Sequence, residues 1–116
     1  MTSSVHRLSM EQSLSEAEQR LDDWDITGAP VVDSEGQLEG VLSIRDIRKA
    51  KKQDSMHVPV SGFMSQSVVT TTPETPIERS LREMTTRDVG RLPVVHEGQL
   101  VGIISRTDML NRIYHS

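Results

Sequence analysis

Each of the four expected helices opens on a hydroxyl three residues ahead of a carboxylate: Ser13 with Glu16, Ser43 with Asp46, Thr75 with Glu78, and Ser105 with Asp108. Each is the pattern of a capping box. The hydroxyl accepts from the backbone N–H three residues on, and the carboxylate reaches back to the N–H of the capping residue. Capping accounts for all eight side chains. It does not account for the shorter Asp after Ser43 and Ser105, nor for the apolar strand that each of these serines ends. A helix start at the carboxyl end of a strand gathers backbone N–H groups and the positive end of the helix dipole, which suits phosphate. A carboxylate one turn along could accept from a sugar hydroxyl. Two readings of these sites therefore stand side by side, capping alone and a nucleotide-type ligand.

Other chemistry is sparse. His6, His57, His96 and His115 are scattered without an i, i+4 pair or a carboxylate at ligand spacing, so no metal site is expected. The chain has no cysteine, which removes thiolate nucleophiles, thiolate metal sites and disulfides together and fits a reducing compartment, read as the cytoplasm. No nucleophile is partnered with a base, so no catalytic residues are expected.

The elements that position these residues come from an internal repeat. Met1-Thr2-Ser3-Ser4-Val5 aligns with Met64-Ser65-Gln66-Ser67-Val68, and Asp25 to Val32 aligns with Asp88 to Val95. After a one-residue deletion, Glu35-Gly36-Gln37-Leu38-Glu39-Gly40 falls on Glu97-Gly98-Gln99-Leu100-Val101-Gly102, Ser43 on Ser105 and Asp46 on Asp108. A period of this kind sets the architecture. In each copy a short apolar piece (Val5 to Leu8; Val68 to Thr71) leads to a helix with apolar residues at three- and four-residue spacing: Leu14, Ala17, Leu21 and Trp24, then Ile77, Leu81 and Met84. A Pro-Val-Val strand, a glycine turn and a second apolar strand make a hairpin, and a last helix closes the unit. Pro76 suits the first turn of its helix. The fold class is α+β: two strand-helix-strand-strand-helix repeats, at residues 1–52 and 63–116. One such unit buries too little apolar area alone, so the two should pack sheet to sheet with pseudo-twofold symmetry. Residues 53–62, holding Pro59 and Gly62, read as a connector, and the basic run Arg48, Lys49, Lys51, Lys52 complements a helix dipole.

Composition bounds the rest. A chain of 116 residues supports one packed domain, and 3% aromatic content leaves the core to Val, Ile, Leu, Ala and Met, with Met64, Met84 and Met109 at core positions. A net charge of -4 argues against a face that holds a phosphate backbone, so no direct nucleic-acid binding is expected. No run reaches the length of a membrane span, and no signal segment follows Met1. Trp24 closes the stripe of its helix where Arg87 stands in the other copy, and reads as a core edge or a dimer contact.

The ordered set of Pro-Val-Val, a glycine turn and Gly-Val-Leu-Ser-Ile-Arg-Asp, with its second copy Gly-Ile-Ile-Ser-Arg-Thr-Asp, resembles the CBS domain. Two in tandem resemble a Bateman module. The resemblance covers nearly the whole chain and implies two clefts, dimers of such pairs, and binding of AMP, ADP, ATP or related adenosyl ligands that regulate an attached or partner protein. No cofactor is required. By resemblance, the main cleft takes Asp108 for ribose hydroxyls, Ser105, Thr107 and Arg91 for phosphate, and Arg106 as phosphate contact or solvated surface. Adenine would lie near Ser3 to Val5 and Ile26, Thr27 and Gly28. The second cleft would use Asp46, Ser43 and Arg45, facing Val68, Val69, Val89 and Gly90. Here the sequence departs from the family: Arg45 stands where Thr107 supplies a hydroxyl, and Gly28 where Arg91 supplies a cation. Arg45 would serve the phosphate or fill the cleft against an acidic neighbour. His57-Val58-Pro59-Val60-Ser61-Gly62-Phe63-Met64 is similar to the linker in CBS pairs of bacterial poly(A) polymerase and tRNA nucleotidyltransferase proteins, which implies a regulatory segment of a longer chain. A ligand-free dimerisation or scaffolding module is the alternative.

Overall fold

Apolar runs broken by a glycine turn fold as one antiparallel hairpin in each half of the chain. The computed structural model describes residues 5–87 and 91–105. They fall into two units, His6–Val68 and a second that begins at Val69 and takes in Val5.

The first unit contains β1 (Leu8–Ser9), α1 (Leu14–Trp24), β2 (Gly28–Val32), β3 (Leu38–Ser43), α2 (Ile44–Lys52) and a 3₁₀ turn at Val60–Gly62. Its sheet runs β1-β2-β3, with β1 parallel to β2 and β2 antiparallel to β3. The expected piece Val5 to Leu8 forms a strand only from Leu8, where Leu8 and Ser9 pair with Val31 and Val32. Leu14, Ala17 and Leu21 of α1 bury with Leu8, Ala29, Val31, Leu42, Ile47 and Ala50 in one core. Each large aliphatic side chain there contributes roughly 1.5–3 kcal/mol by leaving water. Both helices end on an aspartate in the left-handed region, Asp25 (φ 55°) and Asp54 (φ 53°). After α1, Asp25 N donates to Asp22 O and Ile26 N to Leu21 O, both at 3.1 Å. After α2, Asp54 N donates to Lys51 O at 3.2 Å and Ser55 N to Ala50 O at 2.9 Å. This is the paired closure that stops a helix and turns the chain.

The connector is bound along its length. Leu14 N donates to Val58 O and Ser15 N to Met56 O, both at 3.0 Å, while Val60 N donates to Gln12 O at 2.7 Å. Ser13 Oγ takes Glu16 N at 3.1 Å. The first N–H groups of α1 are thus satisfied by the connector's carbonyls and the Ser13 cap. Beyond it, Ser65 N donates to Val41 O and Val41 N to Ser65 O, each at 2.9 Å, adding a strand-like edge to β3. This approach needs Gly40, where an added Cβ would stand 2.6 Å from Ser65 O and 3.0 Å from the Met64 sulfur.

The second unit contains α3 (Ile77–Arg87), β4 (Arg91–His96) and β5 (Gln99–Ser105). Thr71 bridges Val94 in parallel, the place Leu8 takes beside Val31 in the first unit. The turn between β4 and β5 has Glu97 at φ 53° and Gly98 at φ 83°, the two positive values a tight hairpin of this hand requires. Met84 and Leu92 form the core with Ile77, Leu81, Val69 and Ile104 against them. The expected closing helix of this copy lies outside the described residues.

Two capping expectations change. Ser13 caps Glu16 N, but Glu16 returns no bond to Ser13 among the described residues. Thr75 does not cap Glu78: its hydroxyl lies 2.7 Å from Thr72 Oγ1 and takes Thr72 N at 3.3 Å, because a turn from Thr75 N to Thr72 O folds the two threonines together. The first carbonyl to accept in α3 is that of Pro76.

Ser80, absent from the apolar stripe, is buried at 2% exposure, and its hydroxyl lies 2.8 Å from that of buried Thr71. These positions align with Ala17 and Leu8, so an apolar contact in one copy becomes a hydrogen bond in the other. Ser80→Ala is expected to destabilise by about 1–2 kcal/mol, since it strands the Thr71 hydroxyl, and Thr71→Val with Ser80→Ala to cost less than the sum of the two singles. Denaturant unfolding of the four proteins measures this, and additive effects would refute the coupling. Gly40→Ala is expected to lower stability by about 1–3 kcal/mol in the same assay, through the forced separation of Val41 and Ser65.

Candidate functional site

The hairpin register decides what meets at one end of each sheet. In the second unit Arg91 is the direct partner of Ser105, the first pair of the β4–β5 ladder. In the first unit Gly28 is the partner of Ser43. A basic residue before Leu-Pro-Val and the serine that ends the second strand are fourteen residues apart in sequence, yet side by side in the fold. Arg91 is exposed and Ser105 half-buried. At the Gly28 position a Cβ would sit 3.2 Å from Leu42 O, a tight approach, and 3.7 Å from Ser43 Cβ, an ordinary contact.

The start of α2 shows what Ser-x-x-Asp does locally. Ser43 N donates to Asp46 Oδ2 at 2.9 Å, the Ser43 hydroxyl donates to the same oxygen at 3.1 Å, and Asp46 N lies 3.4 Å from Ser43 Oγ. This capping box is complete. Ile44 N donates to Thr27 O at 2.9 Å, which ties the chain entering β2 to the first turn of α2. Capping occupies Oδ2; Oδ1 of Asp46 has no hydrogen-bond partner among the described residues. Arg45 is exposed and makes no ion pair with a described residue.

Ile26 and Thr27 line a cleft of about 460 Å³ within the first unit, between α1 and the start of α2. Ile44 and Ile47 give it an apolar wall, and Glu18, Asp22 and Asp25 an acidic rim. Ile44 is a residue that motif reading passes over; its signal was the three-residue spacing to Ile47 on one helix face. The structure thus gathers Ile26, Thr27, Gly28, Ser43, Arg45 and Asp46 at one end of the first unit, and Arg91 and Ser105 at one end of the second. Val5 belongs to the second unit and Val68 to the first, both half-buried. Asp108, Thr107, Arg106, Val89 and Gly90 lie outside the described residues.

Both units carry an antiparallel hairpin whose second strand ends on the serine of a Ser-x-x-Asp, Ser43 in one and Ser105 in the other. The CBS domain model matches residues 1–53 and 60–115, and the chain belongs to the CBS domain family as a tandem pair. Such a pair is a regulatory, non-catalytic module. A CBS domain-containing protein of Dictyostelium discoideum is 31% identical, over 96% of this chain and 86% of its own length. The A-adding tRNA nucleotidyltransferase of Geobacter sulfurreducens is 30% identical over 98% of this chain, which spans 13% of that enzyme. Among solved structures, the CBS domain pair of protein MJ0100 in complex with 5′-methylthioadenosine and S-adenosyl-L-methionine superposes with a TM-score of 0.83, at 25% identity over 98% of this chain and 90% of that one. CBSX2 in complex with AMP gives 0.82, at 27% identity over 95% and 87%. No helix of the described residues is long and apolar enough to cross a membrane.

The capping role of Ser43 and Asp46 has a ligand-independent consequence. Ser43→Ala and Asp46→Ala are each expected to lower stability by about 1 kcal/mol with no ligand present. Denaturant unfolding checks this; unchanged midpoints would mean that the box does not hold α2.

Proposed function

We propose that this CBS pair binds an adenosine ligand of the AMP, ADP or ATP type and that occupancy regulates an attached or partner protein. The carrying observation is the Arg91–Ser105 ladder pair, which sets a guanidinium beside the serine that begins the expected phosphate-binding turn. On this reading Asp108 takes the ribose hydroxyls, Ser105, Thr107, Arg106 and Arg91 take phosphate, and Val5, Ile26, Thr27 and Gly28 take the adenine. Asp46, Ser43 and Arg45, with Val68, Val89 and Gly90, form a second site of lower affinity, because Gly28 leaves it without the cation of Arg91.

The ligands named for the two related structures share adenosine and differ at the 5′ position, where only AMP carries phosphate. Residues at the 5′ end therefore choose among them, and Arg91 favours a phosphate over a thioether or a sulfonium. Regulation then requires that the ligand bind one state of the attached protein better than another. The parent on this reading is a longer chain such as a tRNA nucleotidyltransferase or poly(A) polymerase, in the cytoplasm. Its CBS pairs form homodimers, supported by an α1 rich in carboxylates (Glu16, Glu18, Asp22, Asp23) and an α2 rich in cations (Arg45, Arg48, Lys49, Lys52), which are self-complementary across a twofold axis.

AMP, ADP or ATP at one hundred times its Kd is expected to add about 2.7 kcal/mol to folded-state stability, seen as a raised Tm. Asp108→Ala should abolish the rise. Arg91→Ala should weaken AMP about tenfold or more while leaving adenosine little changed, since only the phosphate contact is lost. A melting curve indifferent to every adenine nucleotide would sink this reading and leave the ligand-free dimerisation or scaffolding module.

A further inference from the structure

The first unit carries a second cleft, away from the start of α2, between β1 and α1. Its volume is about 300 Å³ and its walls are Arg7, Leu8, Ser9, Gln12, Arg20, Trp24 and Val32. None of these residues bears a carboxylate. The indole of Trp24, half-buried against the core, stacks on the His6 ring with centroids 4.4 Å apart and planes 16° from parallel. Arg20 makes no ion pair with any described residue. Gln12 is fixed by its Oε1, which accepts Ser9 N at 2.8 Å, so its amide nitrogen is left as a donor at the cleft wall.

The internal repeat supplies a control. A feature that the fold requires recurs in both copies, as the glycine turns and the hairpins do. The positions of His6, Arg7, Arg20 and Trp24 are taken in the second copy by Val69, Thr70, Glu83 and Arg87. There the α3 positions close on each other, with Arg87 and Glu83 paired at 3.7 Å. At these sites the second copy has a surface ion pair, where the first has the only tryptophan of the chain and an arginine in no ion pair with a described residue. Stacked rings with arginines at the edge bind flat rings through their faces and anions through the guanidinium fork.

We propose that the β1–α1 cleft of the first unit is a separate binding site for a small planar aromatic anion, its ring against the Trp24 indole and its phosphate or carboxylate on Arg20 and Arg7. The cleft holds one ring and one anionic group. The -4 net charge and the acidic residues of α1, Glu16, Asp22 and Asp23, oppose a long polyanion and favour a single small ligand. This site does not depend on adenosine binding at the Ser105 end, and a null result in the nucleotide melting assay leaves it standing.

Because Trp24 is the sole tryptophan and lines this cleft, its fluorescence reports on binding there. Titration with phenyl phosphate is expected to change the emission saturably, and phenol and inorganic phosphate to act at least tenfold more weakly. Arg20→Glu, the residue of the second copy, and Arg7→Thr should each weaken phenyl phosphate about tenfold or more. Both side chains are exposed, and an unchanged Tm would show that the variants fold. No saturable change, or one of equal affinity in Arg20→Glu, would overturn the site. Equal affinity for inorganic phosphate would overturn the stacking role of Trp24. A short oligouridylate that binds more tightly than phenyl phosphate would overturn the small-ligand assignment in favour of a nucleic-acid strand.

Discussion

The register of the hairpin is the constraint on which the candidate site rests. Backbone bonds between β2 and β3, and between β4 and β5, fix Gly28 beside Ser43 and Arg91 beside Ser105. A strand slipped by one residue would turn every one of these side chains to the opposite face. In the first unit the same bonds deliver Ser43 to the start of α2, where it closes a complete capping box with Asp46. The cap takes one carboxylate oxygen, and the other is held at a fixed height and angle because the cap has formed.

The differences between the copies separate what the fold needs from what it permits. Leu8 and Ala17 pack as apolar groups, whereas Thr71 and Ser80 fill the equivalent space with a buried hydrogen bond. Both solutions seal the gap between a strand and a helix, so this difference is structural. The exchange of Gly28 for Arg91 is of another kind. A Cβ on Gly28 would come within 3.2 Å of Leu42 O, whereas Arg91 carries an exposed side chain at the matching end of its hairpin. Trp24 packs on the core of the first unit, whereas its counterpart Arg87 pairs with Glu83 at the surface of the second, so here the two copies differ in packing as well as in charge.

Residues 53–62 are more than a tether. Their carbonyls take the N–H groups of Leu14 and Ser15, so the first turn of α1 is completed by backbone from the far end of the unit. Leu14 N and Ser15 N are satisfied by Val58 and Met56, and Glu16 N by the Ser13 hydroxyl. At α2 no connector arrives, and the helix start depends on Ser43, Asp46 and Thr27 alone.

The sequence by itself determined the repeat, the α+β class, the helix stripe of Leu14, Ala17 and Leu21, the glycine turns and the family, because each is written in local periodicity or in residues matched between the copies. It also placed Ser43 with Asp46 correctly, since a capping box is a contact within one turn. Only the tertiary structure decided that Ser80 is core, that Thr75 turns back to Thr72, that Gly40 is needed for Ser65, and that Arg91 stands against Ser105. These depend on which backbone groups meet across many residues of separation. Hydrogen-bond partners at that range are set by the packing of whole elements, and no local pattern of residue types encodes it.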